Sequence, residues 1–135
     1  MTLSRNEQQD YILKLIYDYL LHVNAGIPFE FEWEVSGVLE DAYDDVDAYI
    51  KLAVIKAIKY EPEIISLITP FLVKWTWERL PLMTRAIFMF SVATYKYVGD
   101  IDKAVVINLA VQQAKAYLDV DGHKFINAIL DKVLN

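Results

Sequence analysis

An all-α helical bundle is the fold class that this sequence predicts, on three observations. The 135 residues include only four Gly and four Pro, which leaves little material for turns. Apolar residues recur at three- and four-residue intervals along most of the chain, the spacing of one helix face. The connections look short throughout, and in the last sixty residues they are only two to four residues long, so successive helices must pack as neighbours.

The elements follow in order. Ser4 can cap a first helix running to about Val23, with Ile12, Leu15, Ile16, Tyr19, Leu20 and Val23 as its apolar stripe. Its polar row is Glu7, Asp10, Lys14, Asp18 and His22, and the Asp10–Lys14 and Lys14–Asp18 pairs sit four apart, worth roughly 0.2–0.5 kcal/mol at most. Residues 24–28 (Asn-Ala-Gly-Ile-Pro) stop it. From Phe29 to Glu34 aromatic and acidic residues alternate, which by period alone suits a strand; with no second strand to pair, the expectation is a loop entering a short helix that ends near Leu39. Asp44 and Asp45 are expected to cap a helix through Ile50, Ala53, Val54, Ala57 and Ile58. Pro62 interrupts it, and a further helical segment passes through Ile65, Leu67 and Leu72 despite Pro70. Pro81 suits the first turn of a helix reaching about Tyr97, which Gly99 ends. Asp100 is expected to cap the next helix, with Val106, Ile107, Ala110, Val111, Ala114, Tyr117 and Leu118 buried. Asp121 is expected to cap the last, striped by Phe125, Ile126, Ile129, Leu130, Val133 and Leu134. The length suits one domain, read as helical subdomains over 1–73 and 74–135.

Composition narrows the function. Hydrophobic content is 56%, yet in the densest stretch the longest unbroken apolar run, residues 86–90, is five long, against the ~18 or more of a membrane span. No basic stretch leads into an apolar one at the N-terminus, so no signal peptide is expected. Cysteine is absent, which removes thiol nucleophiles and cysteine-ligated metals and fits a cytoplasmic protein. The net charge of −6 is unevenly spread: residues 1–73 carry −8 and residues 74–135 carry +2, with eight carboxylates and no Lys or Arg between Glu30 and Asp47. A broad basic surface for strong, unaided nucleic-acid binding is missing, so any such contact is local or shared with a partner.

No enzyme is expected. His22 and His123 lie far apart and neither has a metal-ligand spacing, and the sequence holds no nucleophile elbow, phosphate loop or dinucleotide fingerprint. His22 reads as a favourable charge at a helix end or a solvated side chain. Asp41, Asp44, Asp45 and Asp47 lack the pattern of a calcium loop and read as a solvated helix start, so neither metal nor cofactor is expected. Trp33, Trp75 and Trp77 default to packing, with one of Trp75 and Trp77 partly exposed, since residues two apart face different ways. Tyr17 lies at the margin of the apolar stripe, where an aromatic ring can stack on an unpaired base while its hydroxyl stays wet; ordinary packing is the competing role. Phe125 shares that ambiguity, behind His123 and Lys124 at a helix start where backbone N–H groups and a lysine could meet phosphate.

Four blocks carry a resemblance: Trp75 to Pro81 (W-T-W-E-R-L-P), Arg85 to Phe88 (R-A-I-F), Ile107 to Lys115 (I-N-L-A-V-Q-Q-A-K) and His123 to Lys132 (H-K-F-I-N-A-I-L-D-K). In order and spacing they resemble the NusB family of transcription antitermination factors, and residues 12–17 (I-L-K-L-I-Y) resemble the family's first helix. The similarity is strong from residue 75 onward and weak before it. It implies an all-helical NusB-like fold of two small subdomains packed crosswise. It also implies a role in ribosomal RNA transcription, pairing with NusE (a small-subunit ribosomal protein), binding single-stranded boxA RNA, and joining the RNA polymerase antitermination complex. Carried over by position, Tyr17 and Phe125 match places close to RNA, with Arg5 and Lys124 available to phosphates. Asp121 and Lys124 fall at the RNA- and partner-facing edge. Arg79 and Arg85 match arginine positions where structural pairing competes with partner contact.

The departures matter too. The family's arginine-rich opening is reduced here to Arg5-Asn6-Glu7-Gln8-Gln9-Asp10, and two helix glutamates are replaced by Leu109 and Gln113. Fewer phosphate contacts lower the salt-dependent part of affinity, so weak RNA binding is expected of the isolated protein. The alternative is a NusB-like protein-interaction module that has lost RNA binding and uses its acidic half for another partner. The apolar excess also allows a homodimer, in which covering Tyr17 and Phe125 would give an inactive storage form.

Overall fold

The computed structural model describes residues 2–135, and among them every regular element is helical. The first helix, α1 (Arg5–Ala25), starts where expected because its signal is local. Ser4 Oγ accepts from the Glu7 N–H (3.1 Å) while the Glu7 carboxylate accepts from the Ser4 N–H (2.9 Å), a reciprocal capping box. Gly26 ends it in the left-handed conformation (φ 70°), where a side chain would be strained, and the Ile27 N–H bonds the His22 carbonyl at 2.9 Å.

The chain then turns back sooner than its alternating pattern suggests. Helix α2 (Phe31–Leu39) already begins at Phe31, so the expected loop is confined to residues 27–30. Read at helical period, Phe31, Val35, Val38 and Leu39 face inward, and Trp33 projects outward at 75% exposed instead of packing in the core. Glu32 and Glu34 sit in the first turn, favourably placed against the helix dipole.

Three caps differ from expectation. Asp44 and Asp45 fall in a 3₁₀ turn (Tyr43–Asp45), extended Val46 after it is buried, and Asp47 caps α3 (Ala48–Lys59). Asp47 Oδ1 accepts from the Tyr49 N–H and its Oδ2 from Gln8 Nε2, both at 2.8 Å, so the cap also fastens α3 to α1. Asp100 does not cap the sixth helix: Gly99 (φ 86°) and Asp100 (φ 57°) are both left-handed and reverse the chain, and Asp102 stands at the cap. Asp121 lies in the first turn of the last helix, and Asp119 is its cap.

Pro62 starts α4 (Glu61–Ile68), which gives way to a 3₁₀ turn (Thr69–Phe71) around Pro70. After a second turn (Trp77–Arg79), Pro81 precedes α5 (Leu82–Val92), which widens into a π-helical segment (Ala93–Val98). Helices α6 (Lys103–Tyr117) and α7 (Val120–Val133) complete the chain. Helix α5 is the central post, buried from Thr84 through Val92 except at Arg85, and α1, α3, α4, α6 and α7 all pack on it. A single cluster of buried apolar residues runs through both halves, from Ile12 in α1 to Leu134. Three expected core residues lie outside it, among them half-buried Val111 on α6. Val23 belongs to the last turn of α1, which stands clear of the core, and Tyr117 at the end of α6 is 45% exposed, its hydroxyl 3.5 Å from Asp10 Oδ1.

Candidate nucleic-acid and partner interface

Tyr17 and Phe125 stand half-buried, each with part of its ring on the core and part in solvent. Tyr17 follows the fully buried Ile16 on α1, so its intermediate burial is the geometric consequence of a place at the stripe's edge. Phe125 meets buried Phe88 of α5 edge-on (centroids 6.0 Å, planes at 71°), and Phe88 in turn lies 6.4 Å from buried Trp77. Because α1 and α7 both pack on α5, the two aromatics sit on helices that share one support. Trp75 is the partly exposed member of its pair and Trp77 the buried one.

The start of α7 brings Asp121, Lys124 and Phe125 together within five residues. Its geometry is set by a close turn. The Gly122 N–H donates to Asp119 Oδ1 at 2.7 Å, and a Cβ on Gly122 would meet Leu118 Cβ at 2.8 Å, a clash on backbone-proximal carbon. Asp121 and Lys124 are exposed, and Lys124 forms no ion pair among the described residues.

The arginines lie elsewhere. Arg5 precedes Tyr17 by twelve positions on α1, about 18 Å at 1.5 Å per residue. Its guanidinium lies 3.8 Å over the Tyr49 ring of α3, a contact worth about 0.5–1 kcal/mol at an exposed site. Arg85 directs Nε to the Leu80 carbonyl (3.0 Å) and Nη2 to that of Glu78 (3.4 Å), bracing the turn that carries Arg79, which is exposed.

Two features escaped the reading of the sequence. Between α1 and α6 a groove of about 210 Å³ is lined by Gln9, Leu109, Gln112 and Gln113 among others, and the Oε1 atoms of Gln9 and Gln113 are buried without a donor. The polar character of residues 6–10 and 112–113 hinted at it, but only packing joins them. The other is His22, which does sit in the last turn of α1 and also bridges to α2, 3.1 Å from Glu34 and 3.3 Å from Asp18. The carboxylates at residues 41–47 form no comparable group among the described residues.

Among the described residues the chain is of an all-helical class, with seven α-helices, none of them long and apolar enough to cross a membrane. Comparison with known proteins sharpens that class. The NusB family model matches residues 6–135, and the chain belongs to the NusB family. Among its relatives, the transcription antitermination protein NusB of Thermoanaerobacter sp. is 31% identical over 133 residues, covering 95% of this chain and 88% of the relative. The NusB of Aromatoleum aromaticum is 28% identical, covering 96% and 87%. The solved structure of T. maritima NusB superposes with a TM-score of 0.83 at 22% identity, covering 99% of this chain and 92% of that one, a likeness of fold.

Proposed function

We propose that this protein is a non-enzymatic transcription antitermination factor that binds boxA-like single-stranded RNA together with NusE during ribosomal RNA transcription. Family membership supports the reading, as do the relatives named as antitermination proteins. The observation that carries it is the half-open setting of Tyr17 and Phe125 on helices flanking α5, with unpaired Lys124 beside Phe125. The mechanism is assembly. NusE docks on the C-terminal helices, using the edge marked by Asp121, Arg79 and Arg85, and completes a composite surface. Unpaired bases then stack on Tyr17 and Phe125, at about 1–3 kcal/mol per base, while Lys124 and Arg5 meet phosphates. The complex joins the RNA polymerase antitermination assembly. Alone, with few cations on the rim, the protein binds RNA weakly.

Two observations favour a second reading, a protein-interaction module without RNA binding: Arg5 is already engaged over Tyr49, and the charged residues of the 30–47 segment are all acidic. Titration of labelled boxA-type RNA, with and without NusE, separates them. The first reading predicts saturable binding that NusE strengthens at least tenfold. An absence of binding in both titrations at low salt refutes it, and a pull-down lacking NusE and polymerase components supports the second.

A further inference from the structure

Asp18 and His22 lie one helical turn apart on α1, and Glu34 reaches them from α2, so that one ligating atom of each lies within 4.8 Å of the others. The imidazole is oriented. Its Nδ1 lies 2.8 Å from the Asp18 backbone carbonyl, to which it can only donate, and this leaves Nε2 facing Glu34 Oε1 at 3.1 Å. A neutral ring in that tautomer presents a lone pair to a carboxylate, which is repulsive unless something positive lies between them. Asp18 poses the same problem. Its Oδ2 is buried without a donor. A single divalent cation between the carboxylates and Nε2 balances the two negative charges and takes the lone pair that faces Glu34, since ligation requires deprotonated groups.

We infer that Asp18, His22 and Glu34 form a divalent metal site of zinc type that fastens the α1–α2 hairpin. Nε2 of His22 and one oxygen from each carboxylate supply three ligands, and solvent fills the fourth tetrahedral position. The hydrogen bond from Nδ1 to a backbone carbonyl is the usual second contact that orients a metal-binding histidine. An imidazole among the donors favours zinc over magnesium or calcium, which prefer oxygen ligands. The site closes the chain reversal around Gly26, where Phe29 already packs edge-on against His22 at 5.4 Å. Its test needs neither RNA nor NusE.

Isothermal titration of the full chain with zinc chloride after chelator treatment provides that test. One equivalent binds the native protein and raises its melting temperature. His22→Gln abolishes both effects, Glu34→Gln weakens binding at least tenfold, and His123→Asn leaves it unchanged. Circular dichroism reports folding of each variant, and Glu34→Gln keeps the test decisive if His22→Gln unfolds. No zinc heat with the native chain, or undiminished binding by a folded His22→Gln or Glu34→Gln variant, overturns the inference.

Discussion

Lys124 and Asp18 show how different the sources of a residue's role can be. Lys124 is an exposed cation with no internal partner, so its charge is available to a phosphate. Replacing it with alanine should reduce the slope of log affinity against log salt by about 0.7, the share of one single-strand phosphate contact, while barely changing the melting temperature. Asp18 acts through protonation. Its carboxyl rises from 3.8 to about 6 on folding and His22 also rises, so the native state holds more protons than the unfolded chain. Stability from these groups is complete below the unfolded Asp pKa and is lost as pH rises through about 6 and then past the raised His22 value. In chelator, the melting temperature of the native protein should therefore fall relative to Asp18→Asn between about pH 4 and 6. A constant difference across that range contradicts this account. Tyr17's marginal place was legible in the sequence because a helical wheel needs only local periodicity. The Asp18–His22–Glu34 group was not, because Glu34 arrives only when the chain reverses at Gly26 and α2 begins at Phe31, inside a stretch whose alternation hides a helix.

At the scale of elements, caps divide by how local their signal is. The Ser4 cap was readable at once, and Glu7 completes it as a self-contained box; Ser4→Ala should cost about 1 kcal/mol, measured by denaturant unfolding. Asp47, Asp102 and Asp119 were each mistaken for an aspartate two or three positions away, since several aspartates compete and the backbone decides between them. Buried Val46, left-handed Gly99 and Asp100, and the tight Leu118–Gly122 approach make those decisions, and of these only Gly99 has a sequence signature of its own. The last of these bears on the rim. Gly122→Ala forces a Cβ to within 2.8 Å of Leu118 Cβ, so the start of α7 must shift and carry Lys124 and Phe125 with it. The expected outcome is RNA affinity lowered at least tenfold in the presence of NusE with most helical content retained by circular dichroism.

For the whole molecule, the fold class was legible because three helices with very short connections leave few ways to pack, and α5, too apolar to face water, had to stand at the centre. The buried cluster crosses residue 73, the expected boundary between subdomains, through α1 on α5 and α4 on α7. Thermal unfolding should accordingly show one transition by near- and far-ultraviolet circular dichroism, and two separated transitions would point to halves that fold independently. The central claim is that RNA lies across the rim formed by Tyr17, Lys124 and Phe125. Its most direct test is the affinity of the NusE-bound protein for boxA-type RNA before and after Tyr17→Ala, at one fixed salt concentration. Loss of a stacked base predicts an affinity about 5- to 150-fold weaker, with NusE binding unchanged. Unaltered RNA affinity in a folded Tyr17→Ala protein would contradict it.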